Sequence, residues 1–365
     1  MTARERRLAE PHRGREPERR RPRGSRIVER TAVVGYRAVS RLAARIPPPL
    51  LRSVIARLAQ LSYLLWPAKR RSSNANFGHV LGLPPDHPRV RALALRAYRT
   101  YARYVVELMR LPARAAKDPT QLEMDGVDEL EAYWRATGGP LIITVAHVGN
   151  NEACATALAH RGYPVSVVAD DTSFPELFEL LRAQRRSWGV ELVPWRNLRG
   201  LFDVLKRGEV LGLLVDWGYR PDGIPVKLFD AWTTLPAGPA TLAARSGATI
   251  VPILQERAGD GFRLIADAPL HVASTDPAEL QRATQAIADA LQREIAVAPE
   301  QWYSFKPMWP DDPAEQDVLA ARAAEMQAGV GRRRGARPAV ARDDASIASA
   351  TPASSNVPPA TAADG

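Results

Sequence analysis

Between about residues 122 and 310 short apolar runs alternate with amphipathic segments, and this alternation limits the fold more than any other feature of the chain. Strands are predicted at 140–146, 163–169, 190–194, 209–216, 225–229, 248–254 and 262–267. Helices are predicted at 151–160, 174–187, 197–207, 236–246 and 276–297. Strand and helix in turn is the pattern of a mainly parallel central sheet flanked by helices on both faces. The run 140–146 is apolar almost throughout, as a strand buried on both sides must be. In an open sheet of this kind reactive groups collect where strands end and helices begin.

The rest of the chain divides by composition. Residues 1–25 are rich in Arg, Glu and Pro and poor in large apolar groups, which predicts a disordered basic arm. The first 30 residues hold 11 Arg against 5 Glu and no apolar core, so no leader peptide is expected. Residues 26–112 read as helical. Val33, Val34, Val39, Leu42 and Ile46 share one side of a first helix, with Arg30, Arg37, Arg41 and Arg45 as a basic stripe. Pro47 to Pro49 end it. A second, more apolar segment follows, from Leu50 through Leu58 to Leu65 and Trp66. This is the pattern of an amphipathic helical hairpin lying in a membrane interface, its arginines toward anionic lipid. An ordinary helix pair packed on the domain has the same pattern. Residues 113–312 make the α/β domain, and 313–365 a short helix with a disordered tail. No run of about 18 apolar residues is present to cross a bilayer.

One strand-to-helix junction carries the chemistry. The apolar run ending at Ala146 is followed by His147-Val-Gly-Asn-Asn-Glu152 and then by the small, helix-favouring residues 153–159. Imidazole titrates near neutrality and suits a general base, and a carboxylate five positions on can orient it. Gly149 lets the turn between them bend. Asn150 and Asn151 are placed to bond either the turn or a substrate. As a second reading, Glu152 simply complements a helix N-terminus.

A His followed by four residues and an acid resembles the signature of glycerolipid acyltransferases. The form His-x-Gly-Asn-x-acid is similar to actinobacterial phosphatidylinositol mannoside acyltransferases, themselves relatives of the late acyltransferases of lipid A synthesis. That family commonly has Trp before the acid, where this chain has Asn151. Further segments agree: 182–190 with Arg185 and Arg186, 208–220 with Asp216 and Arg220, 233–252 ending in Val-Pro, and Glu300-Gln-Trp302. The resemblance spans roughly residues 30–310. It implies a glycerolipid acyltransferase-like fold with His147 as general base and Glu152 as the acceptor of its other ring N–H. It implies Arg185 or Arg186 on a phosphate-bearing substrate, and guanidinium fits phosphate with a planar pair of donors. Asp216 would position the acceptor's hydroxyls, Arg220 would meet a phosphate, and Asn150 would lie among the substrate-binding groups.

The expected activity is transfer of a fatty acyl chain from acyl-CoA, as co-substrate, or another acyl thioester, to a hydroxyl of a glycolipid such as a phosphatidylinositol mannoside at the cytoplasmic face of the cell membrane. Its partners would be anionic membrane lipids, with no cofactor, no metal and no specific nucleic acid. The alternatives are a lysophospholipid acyltransferase with another acceptor, or a basic polyanion-binding protein, since the net charge is +10. The sequence lacks GxSxG, GxxxxGK[ST] and GxGxxG. Its single cysteine, Cys154, excludes an internal disulfide. His79, His87, His160 and His271 have no metal-ligand spacing.

Overall fold

The computed structural model describes residues 23–115, 124–125, 127–137, 139–170, 175–259 and 261–329. The predicted arm and tail lie largely outside these residues.

The chain is α/β, with a mainly parallel central sheet flanked by helices. Its seven strands are β1 (Met124–Asp125), β2 (Leu141–Val145), β3 (Val165–Ala169), β4 (Glu191–Pro194), β5 (Val210–Leu214), β8 (Thr249–Ala258) and β9 (Gly261–Ala266). They lie in the order β1-β9-β8-β2-β5-β3-β4. From β8 to β4 all neighbours are parallel. β9 turns back antiparallel on β8, and β1 runs parallel to β9. All five residues of central β2 are buried. Helices α5 (Val127–Thr137), α6 (Asn151–His160), α7 (Pro175–Arg186), α8 (Leu198–Lys206), α9 (Gly238–Ser246) and α10 (Pro277–Val297) alternate with the strands. Their starts follow capping chemistry. The Asn150 carboxamide accepts Ala153 N–H at 3.1 Å, Asn197 accepts Gly200 N–H at 2.9 Å, and Pro277 opens α10.

Two strands escaped the sequence reading, the short β1 and β7 (Ala231–Leu235). β6 (Ile224–Leu228) pairs antiparallel with β7 as a separate ribbon, where the sequence predicted no second strand before the helix at 236–246. Thr233 and Thr234 are buried, so polarity at those positions hid the strand. Glutamine amides close both outer edges of the ribbon. Gln285 on α10 accepts Lys227 N–H at 2.9 Å and donates to Lys227 O at 2.8 Å. Gln316 on α11 (Ala314–Gln327) does the same for Trp232, at 2.7 and 3.0 Å.

Among the described residues four helices precede the sheet: α1 (Arg23–Arg45), α2 (Pro48–Leu65), α3 (Pro67–Leu81) and α4 (Pro88–Ala115). α1 and α2 both pack on α4. Arg110 of α4 donates to the carbonyls of Ala43 and Ile46, holding the end of α1, and Tyr36 donates to Gln184 on α7 at 3.0 Å. α3 has no apolar stripe, because its buried face is polar. Asn76 donates to Ser304 O at 3.0 Å and Lys306 O at 2.8 Å and accepts Met308 N–H at 3.0 Å. It thereby fastens the segment after α10 beside the sheet.

The main core lies between the sheet and these helices, around Ile142, Leu211, Ile250, Ile287 and Trp302. Leu211 on β5 is fully buried. Leu211→Ala should lower unfolding free energy by about 2–5 kcal/mol in a denaturant titration, since the parallel strands around it cannot collapse into the space.

Candidate active site

β2 and β5 are hydrogen-bonded neighbours, with Val145 opposite Leu214. Two residues beyond each lie His147 and Asp216, so strand register brings them together from 69 positions apart. The His147 Nδ1 stands 2.6 Å from Asp216 Oδ1. The other carboxylate oxygen accepts the His147 backbone N–H and the Trp302 indole N–H, both at 2.9 Å. With its Oδ1 accepting from it, Nδ1 carries the proton and Nε2 is left to act as a base. The Asp216 side chain is 0% exposed and the His147 side chain 37% exposed, so the carboxylate is sealed while the ring reaches the surface. Trp217 packs edge-on against the ring, and Lys306 lies over the Trp217 face, its Nζ 5.0 Å from the ring centre.

The electrostatics follow from that contact. Burial raises the energy of the Asp216 carboxylate, but the imidazole and the two other donors, the His147 backbone N–H and the Trp302 indole, outweigh it and hold its pKa below the usual range. Burial likewise lowers His147, but Asp216 outweighs burial and Lys306, and the net shift is upward.

The backbone around His147 is held at nearly every polar group. Glu294 on α10 accepts Ala146 N–H at 3.1 Å, and Asn151 donates to Ala146 O at 3.1 Å. Tyr303 N–H donates to His147 O at 2.8 Å and Gln255 to Val148 O at 2.7 Å. Gly149 N–H donates to Gln301 O at 3.3 Å, and Gly149 has φ +65°, a left-handed conformation suited to glycine. Glu294 also accepts Gln255 N–H at 3.3 Å. Burial pushes its carboxyl well above the carboxylate range, against those two hydrogen bonds.

The structure redistributes the roles expected from the sequence. Glu152 makes no hydrogen bond to the imidazole. It lies in the first turn of α6 and forms a two-pronged pair with Arg185, whose Nε donates to Oε2 at 2.7 Å. The carboxylate on the ring is Asp216, which the sequence suggested for acceptor hydroxyls. Arg185 is buried against Glu152, and Arg186 is bound to Glu191 at 2.7 Å together with Arg182. Both guanidinium groups are therefore already neutralised. Arg220 is exposed and pairs with Asp222 at 3.2 Å. Asn150 caps α6 and donates to Glu107 at 3.1 Å, which fixes the turn. Trp302 belonged to a recognised segment, but its bond to Asp216 had no sequence signal. Gln255, Glu294 and Glu107 had none either, lying on other elements. Cys154 is buried and burial pushes its thiol up to about 12, so it is no nucleophile. Among the described residues no group of His, Cys, Asp and Glu could hold a metal ion.

A hydroxyl-activating dyad at the end of a parallel sheet fits acyl transfer, and comparison with known proteins decides the family. The sequence pattern of bacterial lipid A biosynthesis acyltransferases matches residues 23–310. This chain belongs to that family. It is an acyltransferase by that membership. Among curated proteins it is similar to the phosphatidylinositol mannoside acyltransferase of Mycolicibacterium smegmatis, 28% identical over 292 residues, 78% of this chain and 93% of that protein. It is also 30% identical over 248 residues to the phosphatidylinositol mannoside acyltransferase of Mycobacterium tuberculosis, covering 66% of this chain and 77% of that one. The matched region starts with α1 and closes just after the segment held by Asn76, so it contains the whole dyad and its supports.

A base must be neutral to accept a proton. Activity of this acyltransferase should therefore rise with pH through a value above the ordinary 6.5 of histidine. Asp216→Asn removes the one charge that raises His147 and leaves burial and Lys306, which lower it. The rising limb should move to lower pH, and the maximal rate should fall by about 10³–10⁴ through loss of the correct tautomer. A pH–rate profile of the variant measures both, and an unmoved limb would rule out this electrostatic role.

Proposed function

We propose that the chain moves a fatty acyl group from acyl-CoA to a hydroxyl of a glycolipid, with a phosphatidylinositol mannoside as the first candidate acceptor. The observation that carries the reading is the His147–Asp216 pair with its ring at the surface. The acceptor hydroxyl donates to His147 Nε2. As its oxygen attacks the thioester carbonyl, the proton passes to Nε2 and the imidazolium is balanced by Asp216. The tetrahedral intermediate then collapses, the C–S bond breaks, and the thiolate leaves and takes up the proton from His147. Lys306 adds positive charge beside the ring, where the oxyanion develops. The acceptor is supported by the names of the two relatives and by the His-Val-Gly-Asn turn.

A membrane location is supported by the surface of the N-terminal helices. Val54, Leu58, Leu61 and Leu65 of α2 are exposed at helical spacing, Leu65 by 73%, and Trp66 just past its end is exposed by 47%. Val34, Val39 and Leu42 of α1 are exposed as well, with Arg37, Arg41 and Arg45 beside them. Apolar side chains so placed lie flat in a lipid interface with arginines at the headgroups. Among the described residues no helix is long and apolar enough to cross a membrane. We place the chain at the cytoplasmic face, where acyl-CoA would be met.

Two experiments test this. With purified protein, palmitoyl-CoA and phosphatidylinositol mannoside, His147→Ala should reduce acylated product by about 10³-fold or more. Wild-type protein that forms no product with any glycolipid hydroxyl would refute the reading. Leu58→Asp with Leu61→Asp should weaken sedimentation with anionic vesicles by roughly tenfold or more, because a charge cannot follow the apolar face into lipid.

A further inference from the structure

The arginines assigned to phosphate from the sequence are occupied, since Arg185 holds Glu152 and Arg186 holds Glu191. Another group of arginines borders a cavity. Between α2, α4, β8 and the turn Pro299–Gln301 lies a cavity of about 760 Å³, bordered by Arg52, Arg57, Arg99, Arg103 and Arg257. Glu300 is the one carboxylate on its wall, so the lining carries a net charge of +4. Glu107 behind the wall pairs with Arg103, at 3.1 Å, and with Arg257. Arg52, Arg57 and Arg99 have no ion-pair partner among the described residues. The Nε–H groups of Arg52 and Arg257 are buried with no acceptor. A second chamber of about 440 Å³ shares Arg52, Arg103 and Arg257 and reaches Asn150 and Ala153, at the start of α6. The turn that carries His147 thus forms part of the same wall, since Asn150 lies three residues on and Gln301 accepts Gly149 N–H.

We propose that this cleft is a binding site for a multiply charged phosphate ligand. Its size suits a nucleotide-sized group, and unpaired guanidinium groups converging from two helices supply the planar donors that phosphate oxygens accept. Resting on the function proposed above, the ligand is one of two phosphate carriers. The first is the nucleotide end of the acyl donor, whose diphosphate and 3′-phosphate bring about four negative charges. The second is the headgroup of an anionic phospholipid beneath the exposed face of α2. Either would lie next to the His147 turn, with the thioester or the lipid surface extending from the cleft.

The test uses the full chain and needs no turnover. Calorimetry with adenosine 3′,5′-bisphosphate, and sedimentation with vesicles of phosphatidylcholine and phosphatidylinositol, are compared for wild type and for Arg52→Ala with Arg99→Ala. If the nucleotide is the ligand, the bisphosphate binds the wild type and its Kd rises by roughly tenfold or more in the variant, while vesicle binding is unchanged. If a headgroup is the ligand, vesicle binding falls by a similar factor and the bisphosphate binds neither protein. Equal binding of both probes to the two proteins overturns the proposal. Arg52→Lys with Arg99→Lys, which keeps the charge, should restore most of the lost binding and so separates this effect from misfolding. In acyl transfer, the preference of the wild type for acyl-CoA over acyl-pantetheine, which has no phosphate, should shrink in the alanine variant if the nucleotide is bound here. A wild type that binds the bisphosphate yet transfers no acyl group would refute the enzymatic reading and leave this site standing.

Discussion

A single buried carboxylate organises this molecule's chemistry. Asp216 sits at the end of β5 with both oxygens engaged, one by the His147 ring and the other by the His147 backbone and the Trp302 indole. A charge shut away from water is stable only when fully answered. The imidazole, the backbone N–H and the indole together provide that answer, so the demand for compensation fixes the ring's orientation. Trp302 is itself locked edge-on against Phe77 of α3 and Trp309, which ties the N-terminal helices to the geometry of the dyad.

The sheet was legible from its apolar runs because central parallel strands leave no polar face to confuse the pattern. Strand β2 and the helices 151–160 and 277–297 fall almost where their periodicity places them. What the sequence could not give was strand order. Glu152 attracted the role of orienter by nearness along the chain. Which acid meets His147 is decided by which strand lies beside β2, and that neighbour is β5, whose residue 216 has the same offset from its strand end as 147 has from its own. Proximity in sequence favoured one acid, and register chose another. The strand 231–235 was missed for a related reason, because its buried threonines look like loop.

The arginines make the same point about charge. In a chain with 50 Lys and Arg residues, composition says nothing about which are available to a ligand. Arg182, Arg185 and Arg186 on α7 are held in carboxylate pairs, Arg185 with Glu152 on α6 and the other two with Glu191 on β4. Arg52 and Arg57 on α2 and Arg99 on α4 border a cavity with no ion-pair partner among the described residues. A guanidinium group bound on every side is a strut, and one left facing a cavity is a receptor. Only three-dimensional pairing tells them apart.

The glutamines bordering the β6–β7 ribbon carry a separate consequence. An isolated two-stranded ribbon presents unpaired amides on both flanks, an invitation to strand addition by another molecule. Gln285 and Gln316 each mimic a neighbouring peptide group, donating and accepting at one residue per flank. Since Gln316 belongs to α11, beyond the last residue matched by the family pattern, this helix guards one flank against self-association. Shortening the chain before it would leave the His147–Asp216 pair untouched yet turn the ribbon into a sticky edge.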